Sequence, residues 1–153
     1  MMRMVSSVLC LILAAAPMAK AAPADDAVAK AHEFIDAFDK GDMKTAAATH
    51  EPDAAIIDEV PPHQWRGFQA WAADLMKDGA AKGLSDEAVI LGKTVRAEAD
   101  GDAAYAVFEA TFRYKQKGAQ MSEPAQMVFA FRKGADGWKI AGWAWSGGVP
   151  RAG

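Results

Sequence analysis

The sequence predicts an α+β domain in which helices come first and an antiparallel sheet follows. Apolar residues recur at helical spacing through the first half of the chain, and four runs rich in β-branched and aromatic residues follow from Asp86 onward. The runs are separated by short turn sequences, which are Asp100-Gly101-Asp102, Lys117-Gly118 and Gly134-Ala135-Asp136-Gly137. Strands joined by such tight turns pair antiparallel, which favours a four-strand meander over a parallel sheet.

The N-terminus has the pattern of a secretory signal peptide. Arg3 precedes an uncharged apolar run over residues 5–16, Pro17 interrupts that run, and small residues flank the end of the segment at 19–21. The run is roughly a dozen residues long and falls short of the roughly 20 that a membrane-spanning helix needs. We therefore expect cleavage after residue 21 and a periplasmic or secreted protein. The alternative is an uncleaved membrane anchor.

Residues 22–153 form the predicted mature chain, and their number suits one domain. The leader carries Arg3 and Lys20, so its removal changes the net charge from −3 to −5. That charge disfavours nucleic acid and an anionic membrane surface as partners, and leaves small molecules or proteins. The single cysteine, Cys10, would leave with the leader, so the mature chain can form neither a disulfide nor a cysteine-based zinc site.

The first half of the mature chain divides into three helices and one strand. The first helix is predicted from apolar residues at helical spacing, which are Val28, Ala31, Ile35 and Phe38, and it should end at Gly41. Asp25 or Asp26 can cap that helix. A second helix runs from a cap at Asp42 through His50. We expect a strand over residues 54–60, a third helix from Gly67 to Gly79, and a loop over residues 77–83.

Five short motifs follow one another along the chain. They are Phe34-Ile35-Asp36-Ala37-Phe38, Lys40-Gly41-Asp42-Met43, Asp53-Ala54-Ala55-Ile56-Ile57-Asp58, Trp65-Arg66-Gly67 and Asp136-Gly137-Trp138-Lys139-Ile140. Their order and spacing resemble the nuclear-transport-factor-2-like superfamily, which includes ketosteroid isomerases and SnoaL-like polyketide cyclases. The resemblance covers nearly all of the mature chain. It implies a cone-shaped fold, with three N-terminal helices packed on a curved, mainly antiparallel sheet around an apolar cavity.

The resemblance also points to one candidate catalytic residue. Asp58 falls where ketosteroid isomerases keep the carboxylate that moves a proton between carbon atoms next to a carbonyl. Phe34 stands in place of the tyrosine that stabilises the oxyanion in that family, and Met127 in place of its protonated acid. Each such donor is commonly worth about 10²- to 10³-fold in rate, so the chain should not be an efficient ketosteroid isomerase. The alternative for Asp58 is a solvated acid at a strand end.

Alternation along the predicted strands places aromatic and methionine side chains on one face. With the helix and loop aromatics, they form the set that we expect to line the cavity, which is Phe34, Phe38, Trp65, Phe108, Phe112, Met127 and Phe129. Plain core packing is the alternative for each of them.

His63 is a second candidate catalytic residue. It lies on the proline-rich loop that precedes Trp65, where it could orient a ligand or share a proton with Asp58. The three histidines are not spaced as a metal pair, and no phosphate-binding or dinucleotide-binding motif occurs, so we expect neither a metal nor a cofactor. Trp143 and Trp145 share one face of the last strand, and they line either the pocket or an interface on the outer sheet face.

Three functions remain open from the sequence. The first is an exported, small-molecule-binding domain with a small apolar or partly polar organic ligand, and the resemblance to the superfamily implies a homodimer. The second is a cofactor-free isomerase, lyase or hydrolase-like enzyme that uses Asp58 as general base and His63 as helper. The third is a protein-interaction module that uses the outer face of the sheet.

Overall fold

The computed structural model describes residues 23–153, and the predicted signal peptide lies outside the described residues. The helices are α1 (Pro23–Asp39), α2 (Met43–Ala48) and α3 (Phe68–Lys82). The strands are β1 (His50–Ile57), β2 (Gln64–Arg66), β3 (Leu84–Asp100), β4 (Ala103–Gln116), β5 (Ala119–Gly134), β6 (Gly137–Gly147) and β7 (Arg151–Ala152). The α+β class predicted from the sequence is therefore confirmed.

The strands form one seven-stranded sheet in the order β2-β1-β6-β5-β4-β3, with β7 paired to β5. Strands β3 to β6 are the predicted antiparallel meander, and its three turns fall at the predicted turn sequences. Strand β1 joins the meander parallel to β6, so the sheet is mixed at that edge. Three register shifts interrupt the pairing of β3 with β4, and such bulges bend a long strand.

The helices pack against one face of this curved sheet and bury the core between them. Helix α1 contacts β3, β4 and β6, whereas α3 contacts β1, β2 and β3. The largest fully buried apolar side chains come from both layers and are Phe34, Ile56, Phe108, Phe129 and Ile140. Phe34 of α1 makes an edge contact with Phe68 of α3 within the helical layer and another with Phe129 of β5 across to the sheet. These aromatic side chains belong to the buried core and do not line the cavity described below.

Several boundaries differ from the sequence prediction. Helix α3 continues past Gly79 to Lys82, because Gly83 supplies the left-handed residue that ends it. Gly79 is tolerated inside the helix because a Cβ there would lie 3.2 Å from the Glu87 carboxylate, so the missing side chain lets β3 approach. Asp25 and Asp26 lie in the first turn of α1 rather than at its cap.

The elements around the first strand also begin and end elsewhere. Helix α2 ends at Ala48, and His50 begins β1, because the Thr49 hydroxyl and His50 ring both bond back to the Ala46 carbonyl. Strands β2 and β7 are absent from the sequence prediction because they are too short to show a period. Within residues 23–153, no helix has both the length and the apolar character needed to span a membrane.

Candidate functional site

A cavity of about 440 Å³ opens between helix α3 and the concave face of the sheet. Its walls come from α1, α3, the segment after β1, and strands β3 to β6. Most of the lining is apolar, and its larger apolar side chains include Phe38, Trp71, Leu75, Phe112 and Met127. The volume lies within the range of roughly 300–1,000 Å³ that is usual for small-molecule pockets.

Asp58 lies on the cavity wall, immediately after β1. The chain turns back at this point through backbone bonds between Asp58 and His63 and between His63 and Val60. The Trp71 indole N–H donates to Asp58 Oδ2 over 2.8 Å, and the Val60 N–H donates to Asp58 Oδ1 over 3.4 Å. Burial raises the pKa of Asp58, and the bond from Trp71 partly offsets that rise. The arrangement suits a fixed carboxylate that faces an apolar space.

Glu59 and Glu123 form a carboxyl pair beside Asp58. Oxygens of the two carboxyl groups lie next to each other beside Gly147, although the residues belong to the segment after β1 and to β5. Although Glu59 is exposed as a whole residue, partial desolvation of its carboxyl group, followed by the negative charges of Glu123 and Asp58, raises its pKa to about 7. Glu123 is only 2 % exposed. Two carboxylates in such contact resist simultaneous ionisation, so Glu59 holds its proton until near-neutral pH.

Three tryptophans that line the cavity each donate their indole N–H to a titratable side chain. Trp71 donates to Asp58, Trp145 donates to Glu123 Oε1 over 3.0 Å, and Trp143 donates to His50 Nε2 over 3.1 Å. An indole N–H is a donor only, so each acceptor must offer a lone pair. These bonds fix the orientation of the aromatic walls and leave the three indoles without a free donor for a ligand.

The His50 ring lies behind this wall and is buried and neutral. Its Nδ1 lies 2.9 Å from the Ala46 carbonyl, while its Nε2 accepts from Trp143. Burial lowers the pKa of His50 to about 4. Protonation would place an N–H on Nε2 against the Trp143 donor, so the neutral ring with hydrogen on Nδ1 is the form that fits.

The structure divides the predicted site residues into two groups. The residues that line the cavity are Asp58, Phe38, Phe112 and Met127. Those that pack in the core outside it are Phe34, Phe108, Phe129 and Trp65. The Trp65 indole donates to Asp74 over 2.9 Å and so fastens β2 to α3.

His63 does not reach the Asp58 carboxylate. It is exposed, and its Nδ1 lies 3.3 Å from the backbone carbonyl of Asp58. Trp143 and Trp145 both line the cavity, which resolves the alternative between pocket and outer face in favour of the pocket.

The sequence prediction missed Glu59, Glu123 and Trp71 as cavity residues. Glu59 adjoins the predicted Asp58, but Glu123 comes from a distant strand and only the fold brings the two together. A signal did exist in the strand pattern, since Glu123 shares with Met127 and Phe129 the face of β5 that points inward. A charged residue at an inward position of an apolar strand is a marker for a site.

The chemistry of the cavity is that of carboxyl groups beside aromatic walls. In the part of the chain that the structure describes, no group of three or more histidine, cysteine, aspartate or glutamate side chains is arranged to hold a metal ion. The carboxyl groups can accept hydrogen bonds, hold or release a proton, or balance a positive charge.

Known structures share this fold at low sequence identity. A nuclear transport factor 2 (NTF2-like) superfamily protein from Salmonella enterica serovar Typhimurium superposes with a TM-score of 0.68 and 19 % identity, covering 83 % of this chain and 92 % of that one. A ketosteroid isomerase-like protein from Erwinia carotovora atroseptica gives 0.64 and 19 %, covering 85 % and 99 %. The hexachlorocyclohexane dehydrochlorinase LinA-type3 from Novosphingobium barchaimii gives 0.71 and 14 %, covering 84 % and 88 %.

None of the curated proteins compared with this chain matches it. The family model of the SnoaL-like domain matches residues 28–150, which include every helix after the first turn of α1 and all strands except β7. The match spans well over half of the chain and agrees with the resemblance to the superfamily seen in the sequence motifs. The chain therefore belongs to the SnoaL-like domain family.

Proposed function

We propose that this protein binds a small organic molecule in the cavity between α3 and the sheet. The observation that carries the proposal is the cavity of about 440 Å³ itself, which combines apolar walls with a few fixed polar groups. The Trp71 bond to Asp58 and the Trp145 bond to Glu123 hold two of those groups in place before any ligand arrives. Such preorganisation lowers the cost of binding.

A thermal-shift screen tests the proposal directly. The panel contains neutral, cationic and anionic organic molecules with an aromatic or aliphatic body. A ligand at 100 times its dissociation constant adds about 2.7 kcal/mol, which raises the melting temperature by several degrees in a domain of this size.

A matched pair of variants locates the binding. Ala88 lines the cavity from β3, so Ala88→Trp should fill the space and abolish the shift. Ala130 is exposed on β5 and outside the cavity, so Ala130→Trp should preserve the shift. A shift that survives Ala88→Trp would place the ligand elsewhere, and a panel without any shift would remove the support for a binding function.

A second candidate function is proton transfer at carbon, with Asp58 as general base. The observation that favours it is the half-buried Asp58 carboxyl on an apolar cavity wall, whose pKa is raised by burial toward useful base strength. In this proposal Trp71 is the side chain that positions the base. His63 contacts the backbone of Asp58 and not its carboxylate, so its role as a helper would require the loop to move.

Deuterium exchange tests the enzymatic candidate. Simple ketones are incubated with the protein in D₂O, and NMR follows deuterium entering the carbon next to the carbonyl. We expect Asp58→Asn to reduce any exchange about 10²- to 10⁴-fold, the usual contribution of a general base. Asp53→Asn is the control, because Asp53 is exposed on β1 and does not line the cavity. Exchange that Asp58→Asn leaves unchanged would contradict the role of Asp58.

We also propose that the protein is exported after cleavage at residue 21 and works as a homodimer. The leader sequence supports export, and N-terminal sequencing of protein from its native cell fraction tests it. Exposed apolar side chains on β3 and β4, namely Ile90, Val95 and Tyr105, support an interface on the outer sheet face. Sedimentation analysis of Val95→Lys tests the interface, and an unchanged molecular mass would contradict it.

A further inference from the structure

The charged groups around the cavity are strongly unbalanced. Its acidic lining residues are Asp39, Asp58, Glu59, Asp78, Glu87 and Glu123. Lys82 is the one lysine or arginine among the lining residues, and it is paired with Asp78 over 2.7 Å. Lys82 therefore already has a partner, and its charge has only the smallest of the named influences on Glu59.

Three of the acids form a continuous acidic wall, defined here as Asp58, Glu59 and Glu123. None of the ion pairs among residues 23–153 includes a member of this wall. Glu123 is 98 % buried and adjoins Glu59 without a cation between them. Within the wall Glu123 is buried, Asp58 is half-buried and Glu59 is exposed. A buried charge in a protein is normally paired, so the wall around Glu123 either retains a proton or receives a positive charge from outside the chain.

The hydrogen bonds at the cavity give an independent indication of the class of ligand. The indoles of Trp71, Trp143 and Trp145 have already donated their N–H groups to protein acceptors. The cavity thus offers a ligand six carboxyl groups, and the remaining side-chain donors among its described lining residues are those of Lys82, Tyr114 and Gln116. A neutral or anionic ligand that needs hydrogen-bond donors from the protein should bind weakly. A ligand that supplies donors and a positive charge should bind more tightly.

A metal ion does not fit this arrangement. Among the described residues no three acids converge as metal ligands do, and the rest of the cavity lining is mostly apolar. The geometry points to an organic cation as the ligand: a protonated amine on an apolar body, with the ammonium against the acidic wall and the body between Trp71, Phe112 and Met127. This inference rests on the proposed binding function and names its ligand class.

Calorimetric titration with three molecules of one size tests the inference. The probes are 3-phenylpropylamine, 3-phenylpropanol and 3-phenylpropionate, which are a cation, a neutral molecule and an anion on the same body at pH 8. We expect the amine to bind at least about tenfold more tightly than the alcohol, and the propionate to bind most weakly. Equal or tighter binding of the alcohol would mean that the acidic wall is protonated, and would overturn the inference.

The pH dependence of amine binding provides a second test, and this test needs no variant. The groups that face Glu59 are Asp58 in its own segment, Lys82 on α3, Tyr114 on β4 and Glu123 on β5. A proton on Glu59 competes with the ammonium, so amine affinity should fall about tenfold between pH 8 and pH 5.5, while the alcohol is unaffected. An amine affinity that is constant or rises on acidification would contradict the inference.

Glu59→Gln removes one charge at constant size and should abolish both the preference for the amine and its pH dependence. Glu109→Gln removes one charge from an exposed position of β4 outside the cavity and should change neither. If none of the three probes binds while the thermal-shift panel yields a neutral or anionic ligand, the inference is wrong and the proposed function stands. If the whole panel also fails, both are wrong.

Discussion

In two neighbouring regions of this molecule, a tryptophan indole N–H donates to a titratable side chain, but the acceptors differ in kind. In the packed core around Phe34, a tryptophan N–H donates to the buried and neutral His50. At the cavity, tryptophan N–H groups donate to the carboxyls of Asp58 and Glu123. The core partner is a neutral ring packed among aromatic side chains, whereas the cavity partners are carboxyl groups that border an open space. The comparison shows two ways in which the fold accommodates a titratable side chain away from water. In the core the side chain is neutral, and at the cavity the carboxyl groups either share a proton or lack a charged partner.

Truncation of a large side chain should separate the two regions most strongly. Phe129 is fully buried in the core, so Phe129→Ala should cost about 3–5 kcal/mol of the free energy of unfolding. Phe112 is half-buried and already borders the cavity, so Phe112→Ala should cost about 1 kcal/mol. Urea denaturation measures both values. Equal costs would mean that the cavity wall is packed as tightly as the core.

The two regions should also respond to pH in opposite directions. His50 has a lowered pKa of about 4, so its contribution to stability is complete above pH 6.5 and decreases as the pH falls toward 4, by about 3 kcal/mol. The pKa of Glu59 is raised to about 7, so its contribution is complete below pH 4.5 and is lost as the pH rises through 7.

Urea denaturation between pH 4 and pH 8 separates the two effects when each variant is compared with the parent. His50→Gln should lose less stability on acidification than the parent does, although it starts from a lower value at pH 7. Glu59→Gln should lose less stability on alkalinisation. Parallel pH profiles for the parent and both variants would show that neither group carries the effect.

A pair of glycines tests the carboxyl pair at the cavity. A Cβ on Gly147 would overlap Glu123 Oε1 and lie 2.6 Å from Glu59 Oε2, whereas a Cβ on Gly134 would meet nothing within 4 Å. Neither glycine has a positive φ, so alanine is compatible with both backbones. We expect Gly147→Ala to cost about 2 kcal/mol and to weaken ligand binding, because the buried Glu123 must move. Gly134→Ala should change neither quantity, and the same result for both variants would disprove the close contact.

The smallest expected effect concerns single indole hydrogen bonds. Trp71→Phe removes the donor to Asp58, and Trp138→Phe removes an indole N–H that has no hydrogen-bond partner among the described residues. Beyond the cost common to both substitutions, Trp71→Phe should cost about 1 kcal/mol more in the free energy of unfolding. It should also raise the pKa of Asp58 further, which NMR titration of the side-chain carboxyl carbon measures. An unchanged pKa would mean that Trp71 does not stabilise the ionised carboxylate.

Local chemistry explains which parts of this fold the sequence predicts. The turns at Gly101, Gly118 and Gly137 are found correctly because each glycine has a positive φ that other residues rarely adopt. The parallel pairing of β1 with β6 is not predicted, because no local pattern records which distant strand will lie alongside. The sequence predicts helix α3 three residues too short because a glycine such as Gly79 commonly marks a helix end. The presence of glycine inside the helix is explained by the close approach of Glu87, which only the structure shows.

The candidate site, like the fold, is predicted only in part from the sequence. Asp58 can be found from its position in a motif, and Phe38, Phe112 and Met127 from the periodicity of their elements. The periodicity cannot say which inward aromatic side chains fill the core and which leave a space, so Phe34, Phe108 and Phe129 fall outside the cavity. The contact between Glu59 and Glu123 depends on the fold and lies beyond any local pattern.

The five tryptophans provide the most direct test that the cavity is the binding site. Their indole N–H signals are resolved in a ¹⁵N-labelled sample and assigned with single Trp→Phe variants, and the tightest ligand of the panel is then titrated. Signals of the cavity residues Trp71, Trp143 and Trp145 should shift together and saturate with one dissociation constant. Those of Trp65 and Trp138, which do not line the cavity, should stay in place. Shifts confined to Trp65 and Trp138, or no saturable shift in any of the five, would contradict a ligand site in this cavity.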